Sequence, residues 1–586
     1  MPVERAVGAG IKVGIGLALA WMTSVQAAEP LRLVDVQRCG DLLEPRRQTF
    51  CLRAAGADGG PLQAWLGERA LPLERDAGHW RLTVDAELSA SGPLRLQQAE
   101  RQSNAVWLSM AGAHVLAAGP DEVARNMDGL TTYVDLVSVI IEERFSGREE
   151  AQALARKYGA QVVGAIAALN TYQLRLPVSN LVERDAMVLR LGSEVSVDAV
   201  VIEESAAETV EAEPSKPPAA RDEWAANRFV DAVDFYRRRI PAPSAPIEPV
   251  PIRVGVIERN VDFDADDFKA YVGPCTPAQR RTCLYARDAS QPDNHGSTVA
   301  GILAAAWNNG GNTGVLSGLD GTSRGFEVIV ERNSDAGITA NIAASVNLVE
   351  DGARVLNWSW GLHRVGAKNV DGDEVDSLLR SGLAMSGYEE LLEEFFLWLR
   401  ARHPQVVVIN SAGNGASFSG SDEYRLPSSF VTDQLLVVGG HQRSERDGVA
   451  VNDPAYVTKR PSSNIDTRVD ITAAACAHAS TPAAGEEGSV HCGTSYSTPM
   501  VAGIVAAMLS INPQLTPAQL RTLLRRSALT IGGNVDFEPM DSDDLTAPIL
   551  PSERDFQIDH ADVGRSARLD MQKALDLAVQ SRDRAR

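Results

Sequence analysis

The sequence predicts an α/β fold in its second half, a parallel sheet flanked by helices on both faces, preceded by a ferredoxin-like α+β module and a small β domain. Three observations lead to this prediction. The chain has 586 residues, more than one compact domain usually holds. Beyond residue 252, apolar strand-like runs alternate with helical runs, as in a parallel sheet covered on both faces. Before them, six shorter runs follow the order β-α-β-β-α-β.

Residues 1–27 are predicted to be a signal peptide. Positive charges at Arg5 and Lys12 precede a mostly apolar run, residues 13–25, and a small-x-small pattern ends at Ala27. An N-terminal membrane anchor is the alternative, although the apolar run is shorter than the roughly 20 residues that a bilayer requires. We therefore expect an exported protein, periplasmic or secreted, without a membrane span after the signal is removed.

Charge and cysteine content narrow the class of protein further. The formal net charge of -21 argues against nucleic acid as a partner, because phosphate binding needs a basic surface. Export into an oxidising compartment favours disulfides, and cysteines that are close in sequence are the natural partners. On proximity alone the six cysteines would pair as Cys39–Cys51, Cys275–Cys283 and Cys476–Cys492.

The region before residue 250 is predicted to contain three parts. Residues 28–115 form the small β domain, with apolar runs between turn-forming Gly and Asp at 48–53, 62–66 and 79–84. Residues 130–203 form the ferredoxin-like module, with runs at 134–141, 148–158, 160–166, 171–176, 181–191 and 195–202. Residues 204–250 form a linker rich in Glu, Ala and Pro, interrupted by a short helix at 222–239.

Residues 251–586 are predicted to form the parallel-sheet domain. Its strands are expected at 253–257, 328–331, 355–358, 406–410 and 435–438, with helices at 297–306 and 339–351. In sheets of this kind the catalytic and ligand-binding side chains lie at the carboxyl ends of the strands. The search for chemistry therefore concentrates on residues that follow these strands.

The strongest catalytic signal precedes an apolar helix and reads Gly493-Thr494-Ser495-Tyr496-Ser497-Thr498-Pro499. A serine at a helix N-terminus lies at the positive end of the helix dipole, which favours an alkoxide and a developing oxyanion. Taken alone, such a serine would more simply be an N-cap. The run as a whole resembles a known nucleophile motif of serine proteases, and this resemblance implies that Ser495 is a nucleophile.

A second motif begins at His295 and continues as Gly-Ser-Thr-Val-Ala-Gly-Ile. Imidazole has a pKa suited to taking the proton of a serine hydroxyl. Together, the two motifs resemble those of the subtilisin-like serine proteases, the subtilases of peptidase family S8. The resemblance covers about residues 253–577 and implies a subtilisin-like fold, with Ser495 as nucleophile and His295 as general base.

The resemblance also implies an oxyanion donor and a substrate cleft. The run from Asn410 to Gly415 places Asn414 where the family has the amide that stabilises the oxyanion with the backbone N–H of Ser495; an Asn-Gly turn is the alternative. The run from Asn357 to Gly361 resembles the family's substrate-cleft strand. Substrate contacts are thus implied for Ser359, Trp360, Gly361 and Gly413. Of Trp358 and Trp360, one is expected in the core and the other at a pocket wall.

The pattern departs from the family at the first triad position. An Asp is usual there, whereas the matching run carries Glu258, which is one methylene longer. Asp262 and Asp264 also offer carboxylates, but they lie beyond the predicted strand end. The third member of a triad orients the histidine and stabilises the imidazolium. A glutamate can do this if the backbone yields by about one bond length, so we expect Glu258 to affect the rate more than the reaction.

Calcium is a weaker implication of the resemblance. Subtilases often bind it in a loop that interrupts the histidine helix, and Asp267, Asn308 and Asn312 are oxygen ligands in roughly those places. A solvated Asn-Gly loop explains the same residues equally well. No other cofactor is required.

The sequence therefore predicts an exported serine endopeptidase that hydrolyses peptide or protein substrates through an acyl-enzyme, with a Ser-His-Glu triad. A ferredoxin-like module directly before a subtilase-like domain resembles the family's inhibitory pro-domain, which implies a zymogen inhibited by its own pro-domain. The alternative is a catalytically impaired subtilase-like protein that acts as a binding module, and Glu258 is its main support.

Overall fold

A computed structural model describes residues 29–40, 46–76, 78–127, 129–205, 224–240, 250–275, 281–288, 294–307, 312–320, 325–332, 337–363, 382–415, 425–444, 446–464, 468–480, 490–531 and 567–585. The predicted signal peptide, residues 1–27, lies outside the described residues. So does most of the predicted linker, namely residues 206–223 and 241–249.

The N-terminal region consists of two antiparallel sheets around one apolar core. Its strands are β1 (Arg32–Cys39), β2 (Arg47–Ala55), β3 (Gln63–Leu66), β4 (Arg69–Leu71), β5 (Leu73–Asp76), β6 (His79–Asp85), β7 (Gly92–Gln98), β8 (Arg101–Gln102) and β9 (Val106–Leu108). The sheet orders are β1-β2-β6-β5 and β4-β3-β7-β8, with β9 beside β7. Leu33, Leu52, Leu82 and Leu94 are fully buried, because alternate residues of each strand face inward.

Two short strands, β10 (Val123–Arg125) and β11 (Thr131–Tyr133), lead into the ferredoxin-like module. The module's elements are β12 (Leu136–Ile141), α1 (Gly147–Tyr158), β13 (Gln161–Ile166), β14 (Thr171–Arg175), α2 (Leu181–Leu191) and β15 (Val197–Val201). The antiparallel sheet has the order β13-β14-β12-β15, and the β-α-β-β-α-β sequence of elements is the predicted one. The short strand β16 (Glu204–Ser205) follows and pairs with β11.

The second half of the chain forms a mostly parallel sheet, as predicted. Its strands are β17 (Ile252–Ile257), β18 (Thr282–Tyr285), β19 (Phe326–Glu331), β20 (Val355–Trp358), β21 (Leu362–His363), β22 (Val407–Ser411), β23 (Arg425–Leu426), β24 (Leu435–Arg443), β25 (Val457–Lys459), β26 (Ile471–Ala474), β27 (Cys476–His478), β28 (Val490–Cys492), β29 (Leu529–Thr530) and β30 (Ala567–Arg568). The main sheet has the order β18-β19-β17-β20-β22-β24-β26-β30-β29. Neighbours from β18 to β30 run parallel.

Helices cover both faces of this sheet. They are α3 (Phe229–Arg239), α4 (Asn294–Ala304), α5 (Gly337–Glu350), α6 (Gly382–Arg402), α7 (Thr494–Ile511), α8 (Pro517–Ser527) and α9 (Met571–Ala585). Successive residues of β20 face opposite sides: Val355 lies in the core with α3, α4, α7, α8 and α9, and Leu356 in the core with α5 and α6. The module shares the second core, because Leu174 and Val200 belong to the same apolar cluster as α5 and α6.

Two features bear on the predictions made from sequence. All three disulfides, Cys39–Cys51, Cys275–Cys283 and Cys476–Cys492, are present, so the pairing by proximity is confirmed. Among the described helices one, Thr494–Ile511, is long and apolar enough to cross a membrane, but 94% of it is buried inside the fold. That helix is therefore a core element of the sheet domain.

Candidate active site

Four predicted catalytic residues follow strands or begin helices at the carboxyl edge of the parallel sheet. Glu258 comes directly after β17, and Asn414 lies three residues after β22. His295 is in the first described turn of α4, and Ser495 is the second residue of α7. Because parallel strands all end at one edge, residues from distant parts of the chain meet there.

The imidazole of His295 faces the carboxylate of Glu258. Its Nδ1 lies 3.1 Å from Oε1 and 3.2 Å from Oε2 of Glu258. The glutamate side chain is 10% exposed and the histidine side chain 40% exposed. The two other candidate carboxylates are engaged elsewhere: Asp262 accepts a hydrogen bond from the backbone N–H of Asp264, and the Asp264 carboxylate pairs with Arg32. Glu258 is therefore the carboxylate that contacts the histidine.

Gly296 allows the histidine helix to approach the end of β17. A Cβ atom at this position would lie 2.7 Å from the carbonyl oxygen of Asn260 and 3.6 Å from the Cβ of Glu258. A Cβ atom cannot lie 2.7 Å from a backbone oxygen, so only glycine fits at position 296. The absence of a side chain there allows α4 to lie close to the end of β17. This close approach lets the imidazole reach Glu258.

Ser495 is held at the start of α7 by reciprocal hydrogen bonds with Ser359. Its Oγ donates to the carbonyl oxygen of Ser359 at 3.3 Å, and the Oγ of Ser359 donates to the carbonyl oxygen of Ser495 at 2.9 Å. The next residue, Tyr496, places its ring 5.6 Å from the ring of His295. The turn that carries the serine thus lies beside the imidazole, and the first-turn N–H groups of α7 point toward this edge without intrahelical acceptors.

Asn414 is oriented by the residue before the serine. Its Oδ1 accepts hydrogen bonds from the backbone N–H of Thr494 at 2.8 Å and from the Thr494 hydroxyl at 3.1 Å. With Oδ1 occupied in this way, Nδ2 is the atom that can donate to a ligand. A Cβ on Gly493 would lie 3.1 Å from this Nδ2, so the amide nitrogen is beside the turn that carries Ser495. The sequence motif did not reveal that Thr494 orients the amide.

The predicted substrate-binding residues lie on two neighbouring backbone segments. Ser359, Trp360 and Gly361 follow β20, and Gly413 follows β22, the strand paired with β20. The side chain of Asn410 joins the segments by donating to the carbonyl oxygens of Trp358 and Trp360 at 2.9 Å and 2.8 Å. This bridging role was missed from the sequence, where Asn410 had no signal beyond its place in the asparagine motif.

The two tryptophans have different environments. Trp358 is fully buried, and its Nε1 donates to Ser345 Oγ at 3.0 Å. Trp360 is partly exposed and packs against Trp358 with 4.9 Å between ring centroids. Trp358 is therefore the core residue of the pair, and the position of Trp360 at a pocket wall stays a prediction.

A buried arginine, Arg425, lies between the two predicted substrate-binding segments. A Cβ on Gly361 would lie 2.1 Å from Cζ of Arg425, and a Cβ on Gly413, whose φ is +104°, would lie 2.8 Å from its Cδ. Both glycines are needed because the arginine side chain occupies the space that a Cβ would take. Sequence analysis missed Arg425, since arginine is exposed by default and no motif includes it.

The residues proposed for calcium are arranged around one carboxylate. Asp267 accepts hydrogen bonds from the backbone N–H of Asn312 at 3.0 Å and from its Nδ2 at 2.8 Å. Both carboxylate oxygens are thus engaged by donors, and the Asn312 amide presents nitrogen. Asn308 lies outside the described residues. Among the described residues, the donors around Asp267 leave it without further oxygen ligands, so this arrangement does not fit a calcium site.

The chain is similar to known proteins, mainly over the parallel-sheet domain. The profile of the Subtilase family matches residues 252–561. Fervidolysin of Fervidobacterium pennivorans is 27% identical over 297 residues, covering 48% of this chain and 38% of fervidolysin. A probable subtilase-type serine protease of Deinococcus radiodurans is 24% identical over 476 residues, covering 76% of this chain and 59% of that protein.

The crystal structure of fervidolysin superimposes with a TM-score of 0.46 at 16% identity, covering 79% of this chain and 63% of that one. The chain thus spans between about two fifths and three fifths of the length of these two relatives. The family match rests on the profile, which covers more than half of the 586 residues. This protein therefore belongs to the subtilase family of serine proteases.

Proposed function

We propose that this chain is an exported serine endopeptidase that hydrolyses peptide bonds through an acyl-enzyme and is made as a zymogen. The observation that carries the catalytic part is the contact of His295 Nδ1 with both oxygens of Glu258, 3.1 Å and 3.2 Å away. A carboxylate at this distance fixes the tautomer in which Nδ1 carries the proton. The other ring nitrogen, Nε2, is then the base.

Each residue has a separate part in the reaction. Ser495 Oγ attacks the peptide carbonyl while His295 Nε2 takes its proton, and the imidazolium then protonates the leaving amine. The Nδ2 of Asn414 and the backbone N–H of Ser495 stabilise the oxyanion of the tetrahedral intermediate. Water then attacks the acyl-enzyme, with His295 again as base, and frees Ser495. Glu258 stabilises the imidazolium throughout without taking the proton.

The interface of the ferredoxin-like module supports the zymogen part. Glu203, just after β15, accepts hydrogen bonds from the backbone N–H groups of Ile338 and Thr339 at 3.2 Å and 3.0 Å. These N–H groups belong to the first turn of α5, whose positive dipole end favours a carboxylate. The module thus caps a helix of the sheet domain with its own side chain.

A second set of contacts joins the module to α6. The backbone N–H of Glu204 donates to the hydroxyl of Tyr388 at 2.8 Å. A Cβ on Gly387 would lie 2.7 Å from the carbonyl oxygen of Val200, so α6 and β15 are in backbone contact. A module held by an apolar core, a helix cap and this close approach is suited to remain bound as an intramolecular inhibitor.

Export is supported by the disulfides. Three disulfides are formed among the described residues, and such bonds persist in oxidising compartments. A periplasmic or secreted location follows from the same argument.

The alternative, a catalytically impaired binding module, rests on Glu258 in place of an aspartate. Since the longer side chain still reaches the imidazole with both oxygens, the geometry favours the enzyme.

A fluorophosphonate probe tests the proposal, because it reacts with an activated serine. We expect weak labelling of the full chain while the module is in place and strong labelling once limited proteolysis has removed the module. Ser495→Ala should abolish both, and the matched control Ser193→Ala, an exposed serine of the module, should leave both unchanged. A folded chain that stays unlabelled after the module has been removed would favour the binding-protein alternative.

A further inference from the structure

Among the described residues, Arg425 carries a buried charge that no carboxylate contacts. The residue is 6% exposed. Within the described part of the chain its guanidinium donates to neutral oxygens: Nη1 to the carbonyl oxygen of Ser411 and to Ser428 Oγ (3.0 Å), and Nη2 to Ser411 Oγ (3.1 Å). Burial lowers the pKa of Arg425 to about 9, so the group is still charged at neutral pH. Buried charges are normally paired.

The pattern of these bonds leaves one edge of the guanidinium available. Two of its bonds go to Ser411, one from each terminal nitrogen, and therefore use the edge between Nη1 and Nη2. The third uses the other hydrogen of Nη1. The remaining donors are Nε–H and the second hydrogen of Nη2, which point the same way from a planar group. That edge binds a carboxylate through two parallel hydrogen bonds.

The available edge lies beside the catalytic residues. A Cβ on Gly413 would be 3.0 Å from Arg425 Nε, and Gly413 precedes Asn414, the proposed oxyanion donor. The guanidinium carbon also lies against Gly361, two residues after the Ser359 that contacts Ser495. A substrate carbonyl bound between Ser495 and Asn414 would bring the side chain of its own residue toward the Gly361 and Gly413 segments, which flank Arg425.

We propose that Arg425 is a specificity-determining residue that selects substrates with a carboxylate side chain, Glu or Asp, on the acyl side of the cleaved bond. The inference rests on the proposed function and deepens it by naming a substrate class. The substrate carboxylate supplies the missing counter-charge and two acceptors. A glutamine at the same position offers one acceptor, no charge and an amide that faces a cation, so it is a poor replacement.

The test uses the full chain after limited proteolysis has removed the inhibitory module, with peptides that differ only at the acyl-side residue, which is Glu, Gln, Ala or Phe. We expect kcat/KM for the Glu peptide to exceed that for the Gln peptide on the order of 100-fold, as two charge-assisted hydrogen bonds imply. Arg425→Gln should bring this ratio close to one. Arg425→Lys, which keeps the charge but lacks the two-donor edge, should give an intermediate ratio.

Arg354 provides a matched control. It also has a pKa lowered by burial and donates to backbone oxygens, those of Gln405 and Pro513, but it precedes β20 at the opposite edge of the sheet. Arg354→Gln should leave the Glu-to-Gln ratio unchanged.

The ratio of kcat/KM for the Glu and Gln peptides is measured on the wild-type protein. The inference can therefore be tested even if Arg425→Gln does not fold. A chain that is labelled at Ser495 but cleaves the Glu peptide no faster than the Gln peptide overturns the inference. So does a preference for Ala, which would mean that the arginine fills the pocket instead of binding a carboxylate. A chain that is neither labelled nor active on any of the four peptides after the module has been removed contradicts the proposed function itself.

Discussion

The parallel sheet and the antiparallel sheet of the module place their polar side chains in different ways. In the parallel sheet β17, β20 and β22 are neighbours that end at one edge, so Glu258 and Asn414 meet there. In the module the strand directions alternate, so strand ends are divided between two edges. The module instead contacts the sheet domain through apolar surface and through scattered polar contacts, among them the Glu203 carboxyl at α5 and the backbone N–H of Glu204 at Tyr388.

The difference predicts two kinds of sensitivity to substitution. At the sheet edge the proposed function depends on the position of individual atoms. Single substitutions there should lower the rate of hydrolysis strongly and leave the fold intact. At the module interface the energy is spread over an apolar core, so single changes should be milder and should affect binding or stability. Three substitutions test this contrast, in order of decreasing expected effect.

Glu258→Gln should lower kcat/KM by about 10⁴-fold. The neutral amide cannot stabilise the imidazolium, and its NH₂ group favours the tautomer with the proton on the wrong nitrogen. Steady-state hydrolysis of the Glu peptide measures the loss, and a thermal unfolding curve close to that of the wild type shows that the fold is intact.

Glu258→Asp is the companion variant, because it keeps the charge and shortens the side chain by one methylene. It should retain far more activity than Glu258→Gln. Equal activity of wild type and Glu258→Gln would show that another group orients His295.

Asn414→Ala should lower kcat by about 10²- to 10³-fold with little change in KM, because the donor acts on the oxyanion of the transition state. Thr494→Val is the graded control: it removes the hydroxyl but keeps the backbone N–H that orients Asn414. We expect a loss of less than about 10-fold for it. A KM effect without a kcat effect in Asn414→Ala would assign the residue to substrate binding.

Glu203→Gln should remove a pH dependence of the module interface. Burial raises the pKa of Glu203 to about 7, against the opposing effects of its bonds to Thr339 and Ile338 and of Arg332. A carboxyl whose pKa is raised stabilises the folded contact fully below its ordinary pKa, and this contribution is lost as the pH rises through 7. The contribution of Glu203 to the free energy of unfolding should therefore be larger at pH 4.5 than above pH 7, by on the order of 3 kcal/mol.

The pH dependence is measured as the free energy of unfolding between pH 4.5 and 8. Two full-length proteins are compared, Ser495→Ala and Ser495→Ala with Glu203→Gln. The two proteins should agree in acid, and the glutamine variant should become the more stable one as the pH rises. Glu149→Gln, an exposed carboxyl on α1, is the control and should give no such divergence. If the unfolding free energies of the two proteins differed by the same amount at every pH, Glu203 would not be a buried carboxyl that titrates in this range.

Much of the fold could be predicted because local periodicity controls it. The runs expected at residues 148–158 and 181–191 are α1 and α2 almost to the residue. Nearby cysteines are also paired as expected, since short loops close at little entropic cost. Strand β24 extends beyond the predicted 435–438 to Arg443, because its second half pairs with the edge strand β25, which local pattern does not show.

By itself the sequence determined the order of elements in the module, the nucleophile and histidine motifs and the family that carries them, because each is written in contiguous residues. Only the tertiary structure decided which carboxylate contacts His295, which tryptophan lies in the core, and where Arg425 lies. Each of these depends on contacts between segments far apart in the chain, as the close approach at Gly296 and the space left by Gly361 and Gly413 show. Packing sets such distances, and no spacing along the sequence encodes them.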